Sequence, residues 1–453
     1  MEKSKFLKNH QSVHFIGVGG IGMSGLASHL KNKGFSVSGS DICAKNAVFL
    51  KKQGVIVYDK HSKENVKNAK IVVYTSAIKE ENAELKEAKK NGLTLIKRSE
   101  LLGQILDEHN LSIAISGSHG KTTATDMLAN VLIEAGLDPT VFLGGMDKDF
   151  GNYRLGKGEI AIAEACEYER NFLDLNAKIC VVLNVDNDHL DTYKNMQEVI
   201  NAFSNFTKNR LSIINADDEN SEKLCTDTSI TFGIKKMANY MAKKVRQREK
   251  GYSFNAYHGT LKLGRINLSV KGKHNVYNAL SCIAVSHTLN IPFEVQKKSL
   301  EKFCGVKRRN EYLGKIKSLN VYADYAHHPK EIMAMLQTFK GEKKGFITVF
   351  QPHTYSRTSL LMQDFLECFN SCSPLIIYKT YPARERYIKG GSAKTLYQNL
   401  INMGKNNKVF YASTRKELNF LLSELSKDYT KAVFLGAGNI YDLAVSLTKN
   451  KNE

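Results

Sequence analysis

Three α/β domains in series are the fold this 453-residue sequence predicts. They are a Rossmann-like N-terminal domain over residues 1–108, a central P-loop ATPase-type domain over 109–312, and a Rossmann-like C-terminal domain over 313–453. Three observations carry the prediction. Short apolar β-prone runs alternate with helical patterns along the chain, as in parallel sheets. Two units of strand, glycine turn and helix, at Gly17 and at Gly117, have the form that cradles phosphate groups. The length itself exceeds what one ordinary core fills.

In the first domain Val13–Val18 reads as a strand and leads into Gly17-Val-Gly19-Gly20-Ile-Gly22, then a helix to about Lys33. A second strand, Phe35–Ser40, ends at Asp41. The G-x-G-x-x-G spacing with an acid about 20 residues later fits a dinucleotide or diphosphate site, because glycines let the backbone approach the phosphates. On this alone, an NAD-dependent dehydrogenase and a nucleotide-sugar binder are both open. Val55–Tyr58, Ile71–Thr75, a helix over Asn82–Asn91 and Leu93–Ile96 continue the alternation.

The central domain opens on Ile113–Ile115 and the loop Gly117-Ser118-His119-Gly120-Lys121-Thr122-Thr123, with a helix from Thr122 to Ala135. Backbone N–H groups and the helix N-terminus would face a nucleotide's phosphates. Lys121 supplies a point charge, and a threonine hydroxyl a Mg²⁺ ligand. Further strands are expected at Thr140–Leu143, Ile160–Ala163, Ile179–Asn184 and Leu211–Ile214. Glu164-Ala-Cys166-Glu167 and Asn184-Val-Asp186-Asn-Asp188-His189-Leu-Asp191 follow two of them, where a Mg²⁺ ligand belongs beside a phosphate loop. The aspartates of the second motif could instead cap the next helix. Asn275 and Asn278 share a helical face able to present amides to a base or ribose. Arg308 and Arg309 read equally as a phosphate clamp or as solvated charge.

In the third domain, strands are expected at Val321–Asp324, Gly345–Phe350, Leu375–Tyr378, Val409–Tyr411 and Ala432–Leu435. Polar motifs follow the first two: Asp324-Tyr325-Ala-His327-His328-Pro329, and Gln351-Pro-His353-Thr354-Tyr-Ser356-Arg357. Open α/β sheets bind ligands at such strand ends. No further histidine or cysteine lies at ligand spacing from His327-His328, which favours substrate contact or helix capping over metal.

Composition bounds the rest. With 42% hydrophobic and 24% charged residues the chain reads as an ordinary globular protein. It has no apolar run long enough to span a membrane and no signal-peptide core, so a cytoplasmic location without membrane insertion is expected. Eight scattered cysteines without a Cys-x-x-Cys pair suit reduced thiols. The net charge of +20 would admit a nucleic-acid partner. The lysines read as spread over the chain without a dense basic block, so none is expected.

Taken in order, these motifs resemble the Mur ligases over essentially the whole chain, with the strongest likeness to members that add L-alanine. The resemblance decides against the dehydrogenase. It implies ATP-dependent amide formation: L-alanine joined to the lactyl carboxylate of UDP-N-acetylmuramate through an acyl phosphate, in peptidoglycan precursor synthesis. By this likeness Gly17, Gly19, Gly20, Gly22, Asp41, His61, Ser76 and Arg98 hold the UDP-sugar. Gly117, Ser118, His119, Gly120, Lys121, Thr122 and Thr123 bind the ATP phosphates, and Asn275, Asn278, Arg309 and Asp324 also contact ATP. Thr122, Glu164 and His189 would ligate Mg²⁺, as one or two ions with Mn²⁺ an alternative. Tyr325, His327 and Arg357 match positions near the amino acid. Lys121, Glu164, His189, His327 and Arg357 form the expected catalytic set.

Two departures stand out. Cys166 and Thr354 replace an acid and an arginine of the commonest family pattern, leaving Arg357 as the only arginine of its motif. No lysine lies in Val199–Asn205, so the carbamylated lysine of some Mur ligases is not expected. Two other readings share the same motifs: a recycling ligase that adds a whole peptide to the same sugar, and a nucleotide-binding regulator without the chemistry. Oligomeric state is not legible in the sequence.

Overall fold

The computed structural model describes residues 11–43, 47–186, 192–339, 345–370, 372, 374–383, 385–404 and 408–449. The chain forms two compact units, one ending at Cys304 and one beginning at Gly305.

The first unit holds two sheets. The N-terminal one is parallel, with strands β1 (Ser12–Ile16), β2 (Ser36–Ser40), β3 (Ile56–Tyr58), β4 (Ile71–Tyr74) and β5 (Thr94–Lys97) in the order β3-β2-β1-β4-β5. Each strand matches an expected run to within two residues at either end. Val13, Phe15, Val37, Ile71 and Val73 put their side chains into a core shared with the helix Ile21–Asn32. The helix Ala83–Lys90 is fixed by Asn82, whose side chain accepts from the N–H groups of Glu84 and Leu85.

The second sheet has ten strands: β6 (Leu111–Ser116), β7 (Thr140–Asp147), β8 (Gly151–Arg154), β9 (Ile160–Glu164), β10 (Ile179–Val182), β11 (Leu211–Asn215), β12 (Ile230–Gly233), β13 (Tyr240–Gln247), β14 (Tyr252–His258) and β15 (Leu261–Leu268). Their order is β15-β14-β13-β12-β11-β10-β6-β9-β7-β8. The strand before the phosphate loop, β6, is therefore central and flanked by β10 and β9, both of which end in polar motifs. Its side chains are almost wholly buried, as befits a strand covered on both faces. The sequence reading did not anticipate β8 or β12–β15. β12 is parallel to both neighbours but only four residues long, while charged residues and glycines break up β8 and β13–β15, since antiparallel strands with one solvated face need apolar residues only at alternate positions.

The second unit is a six-stranded sheet of β16 (Glu311–Ile316), β17 (Leu319–Asp324), β18 (Ile347–Phe350), β19 (Leu375–Tyr378), β20 (Val409–Ala412) and β21 (Lys431–Leu435), ordered β16-β17-β21-β18-β19-β20. All pairs are parallel except the edge hairpin β16–β17. Separate apolar clusters pack its two faces, one centred on Phe350, Phe365 and Phe369 and the other on Val321, Val349 and Phe434.

Candidate active site

Every strand of the first sheet delivers a candidate residue at its carboxyl end, where parallel sheets bind ligands. After β1, Gly17 turns with φ +85°, and the N–H groups of Gly17 and Val18 both donate to Ser40 O at 2.8 and 3.0 Å. Gly19 N donates to Asp41 Oδ2 at 2.9 Å, while Asp41 Oδ1 accepts from Cys43 N. Gly20 caps the Ile21–Asn32 helix. A Cβ on Gly22 would lie 3.2 Å from Arg98 Nη1, so the arginine after β5 reaches the turn after β1. Ser76 is exposed on the turn after β4.

His61 extends this cluster and reveals residues the sequence did not single out. Its Nδ1 lies 2.8 Å from Ser40 Oγ and 2.9 Å from Glu84 Oε2. Glu84 is fully buried, accepts from Asn65 Nδ2 at 2.6 Å, and has His14 Nε2 3.5 Å away. Burial pushes its carboxyl up, but the hydrogen bonds from His14, Ser40 and Asn65 outweigh that and hold it at about 2. Within Ala-Glu-Leu-Lys-Glu-Ala-Lys-Lys, Glu84 reads as one more charge on a solvated helix face, so no signal could have found it.

The phosphate loop follows β6. Gly117 and Gly120 have φ of +141° and +87°, and Gly120 is the left-handed cap from which the helix Lys121–Glu134 begins. Any Cβ at Gly120 would stand 2.9 Å from Asn278 Oδ1, which places Asn278 against the loop. Asn275 Oδ1 accepts from Asn278 Nδ2 at 3.0 Å, so both asparagines share one edge. Asn184, after β10, braces the loop from the other side. Its backbone O accepts from Ser118 N at 3.1 Å, its Oδ1 from His119 N at 2.8 Å, and its Nδ2 donates to His119 O at 3.0 Å. Asp186 N donates to Ser118 Oγ at 2.9 Å. Asp186 thus supports the loop rather than capping a helix; the next helix, Met196–Thr207, is capped by Asn195. His189, Asp188 and Asp191 lie outside the described residues.

Thr122 Oγ1 donates to Glu164 Oε2 at 2.7 Å, and Gly144 N donates to the same oxygen at 2.9 Å. A hydroxyl and a carboxylate held together beside a phosphate loop are hard oxygen donors of the kind Mg²⁺ takes. Among the described residues no group of three His, Cys, Asp or Glu side chains could enclose a metal ion. Lys121 Nζ donates to Gly117 O at 2.6 Å, to Ser118 O at 3.2 Å and to Glu167 Oε1 at 3.0 Å. Burial opposes the ammonium charge, but Glu167 and, behind it, Cys166 and Glu164 raise the lysine's pKa well above its ordinary value. Glu167 is 2% exposed, and Tyr193 Oη donates to its carbonyl at 2.6 Å.

In the second unit the motifs after β17 and β18 form one cluster. Asp324 accepts from Asn310 N at 2.7 Å and from Ala326 N at 2.8 Å. Burial raises its pKa, against the pull of Arg309 and these two bonds. The Arg309 guanidinium sits over the Tyr325 ring, 5.3 Å from its centroid, while Arg308 reaches Asp442 at 3.6 Å. Tyr325, His327, His353 and Tyr381 follow ring on ring at 5.4, 5.7 and 5.6 Å. Arg357 Nη1 stands 3.2 Å from His353 Nδ1. A guanidinium only donates, so His353 accepts there and is neutral. Burial, with His327 and Arg357 adding to it, lowers its pKa to about 4. Burial likewise lowers His327, against the opposing charge of Glu331. Thr354 takes φ +68° and caps the short helix that carries Arg357.

Three stretches of the chain match known domains: residues 12–110 the Mur ligase family catalytic domain, 115–286 the Mur ligase middle domain, and 308–438 the Mur ligase glutamate ligase domain. The UDP-N-acetylmuramate--L-alanine ligase of Aquifex aeolicus is 41% identical over 450 residues, 97% of each chain. The chain belongs to the Mur ligase family. The enzyme of the same name from Caldanaerobacter subterraneus is 39% identical over 98% of this Mur ligase and 99% of its own length. Among solved structures, the UDP-N-acetylmuramate-alanine ligase of Thermotoga maritima matches with a TM-score of 0.83 at 29% identity, covering 97% of this chain and 99% of that one. A murein peptide ligase from Psychrobacter arcticus, at 21% identity and a TM-score of 0.73 over 98% of this chain and all of its own, shares the fold.

Proposed function

We propose that this Mur ligase joins L-alanine to the lactyl carboxylate of UDP-N-acetylmuramate, converting ATP to ADP and phosphate, in peptidoglycan precursor synthesis. The substrates rest on near-full-length relatives of that name at about 40% identity. The chemistry rests on one observation: Lys121 and Thr122 leave a glycine loop at the centre of the ten-stranded sheet, and Thr122 is bonded to Glu164 at the end of the neighbouring β9. Residues 1–108 hold the UDP-sugar through Gly17, Gly19, Gly20, Gly22, Asp41, His61, Ser76 and Arg98. Residues 109–312 bind ATP, and 313–453 bring the amino acid through Tyr325, His327 and Arg357, with Arg309 and Asp324 toward ATP.

A lactyl carboxylate oxygen attacks the γ-phosphorus, the bond to the bridging oxygen breaks, and ADP leaves. The amine of L-alanine then attacks the acyl carbon, loses a proton, and phosphate departs. Lys121 and Arg309 offset the repulsion between carboxylate and phosphates. Thr122, Glu164 and His189 would hold Mg²⁺, which when bound would further neutralise the phosphate oxygens. His327, kept neutral by burial, accepts the amine's proton, and Arg357 pairs with the amino acid's carboxylate. A cytoplasmic location agrees with eight cysteines that form no disulfide.

The test is phosphate release from ATP with Mg²⁺ and UDP-N-acetylmuramate, comparing L-alanine with a tripeptide that begins in L-alanine. Turnover with the free amino acid, lost in Lys121→Ala, is expected. Turnover with the peptide alone would make it a recycling ligase, and silence with both would refute the ligase chemistry.

A further inference from the structure

The charge of this protein is not evenly spread. Between Lys235 and Lys273, eleven lysines and arginines face a single acid, Glu249, so these 39 residues carry half of the chain's net +20. They coincide with the antiparallel meander β13–β15, which closes one edge of the ten-stranded sheet. The sequence hides the cluster because cations alternate with core residues. Phe254, Ala256, Ile266 and Leu268 are buried, and Gly264 lies against Phe293 on the covering helix Phe293–Lys302.

The other face carries the cations beside a small apolar cluster of Ala216, Ala238, Met241 and Tyr257. Lys243, Asn255 and Arg265 pair in one cross-strand row, so both charges stand on the same side. An irregularity between Lys243 and Arg246, with Lys244 at φ +54°, turns Lys244 outward as well. Lys243, Lys244, Arg246, Arg248, Lys262 and Arg265 are all exposed, and among the described residues none of them is in an ion pair. A surface on which six unpaired cations repel one another is complementary to a polyanion. One large apolar side chain, Met237, stands 90% exposed just before β13, whereas Leu261 pairs with His258 on the helix-covered side. Single-stranded nucleic acid calls for several open aromatic rings. This face offers Tyr257, whose ring Lys243 Nζ already covers at 4.8 Å.

We infer that the β13–β15 face docks this protein on an anionic phospholipid surface, with the cations against headgroups and Met237 at its edge. The docking is peripheral and independent of the ligase reading.

Vesicle co-sedimentation of the full chain tests it, using phosphatidylcholine alone and an equimolar mixture with phosphatidylglycerol. Binding to the mixed vesicles, absent with phosphatidylcholine and lost in strong salt, is expected. Lys243→Gln with Arg265→Gln should weaken it about 30-fold while ATP-dependent turnover stays unchanged as the control for folding. Should that pair fail to fold, Lys244→Gln with Arg246→Gln carries the same expectation. Absence of binding to mixed vesicles, equal binding to both lipids, or wild-type binding by a folded double variant would overturn the inference. So would displacement from the mixed vesicles by equimolar mixed-sequence RNA, which would mark the face as a nucleic-acid surface.

Discussion

Asp126 is fully buried on the helix that leaves the phosphate loop, one turn beyond Thr122. Asn130 Nδ2 donates to its Oδ1 at 3.2 Å, its Oδ2 has no hydrogen-bond partner among the described residues, and the Asp147 carboxylate at the end of β7 acts on it as a like charge. Burial foremost, then the nearby Asp147 carboxylate, push the Asp126 carboxyl from its ordinary 3.8 up to about 8, with Asp149 adding and Lys148 opposing. The sign follows from linkage: the unfolded chain releases this proton near pH 4 and the folded one near pH 8. Stability is therefore fully present below about 4 and falls as pH rises through that window. At about 1.4 kcal/mol per pH unit, the loss reached by pH 7 is on the order of 4 kcal/mol. Asp126→Asn keeps a neutral donor facing Asp147 and removes the titration. It should raise the melting temperature at pH 8 by roughly 5 °C or more, with a much smaller gain at pH 5. Circular dichroism melts of both proteins at the two pH values read this directly. Equal melting at pH 8, or a gain of the same size at pH 5 and 8, would refute the raised Asp126 carboxyl.

Three further outcomes are expected. Gly144→Ala puts a Cβ 2.5 Å from Glu164 Oε2 and must displace that carboxylate, so the Mg²⁺ concentration for half-maximal turnover should rise several-fold with little change in melting temperature. Glu84→Gln removes a carboxylate held at about 2 against an ordinary 4.5, whose contribution is present above pH 4.5 and lost as pH falls toward 2. Urea unfolding should show a loss of about 3 kcal/mol at pH 7 that shrinks toward pH 3. Glu167→Gln leaves the Lys121 ammonium buried without its carboxylate, so the variant should melt several degrees lower without nucleotide. Its thermal shift on adding ATP should exceed the wild-type shift, because phosphate then supplies the missing anion; equal shifts in calorimetry would count against that pairing.

Much of this protein was legible before any contact was known. The strands β1–β7, β9–β11 and β17–β21, and the two glycine turns, follow from local physics. Apolar β-prone runs mark strands buried on both faces, and Gly17, Gly117 and Gly120 take the positive φ that only glycine adopts freely. Because polar motifs follow strand ends in open α/β sheets, the positions of Asp41, Lys121, Glu164, Asp324 and His327 could be named from order along the chain, while Arg98 came only with the family resemblance.

Only the tertiary structure decided which groups meet. The order β10-β6-β9-β7 sets Asn184, Lys121, Glu167, Glu164 and Gly144 side by side, although the pair Lys121–Glu167 is 46 residues apart and Gly144–Glu164 is 20 apart. Glu84, His14 and His61 join one buried network from three separate segments, and Asp126 finds Asp147 across a helix–strand contact. The basic face of β13–β15 exists only because cross-strand register sends alternating cations to one side. Backbone conformation is chosen within a few residues, so sequence carries it locally. Electrostatic partners and charge density depend on distances through space, and those are set only once the sheets have assembled.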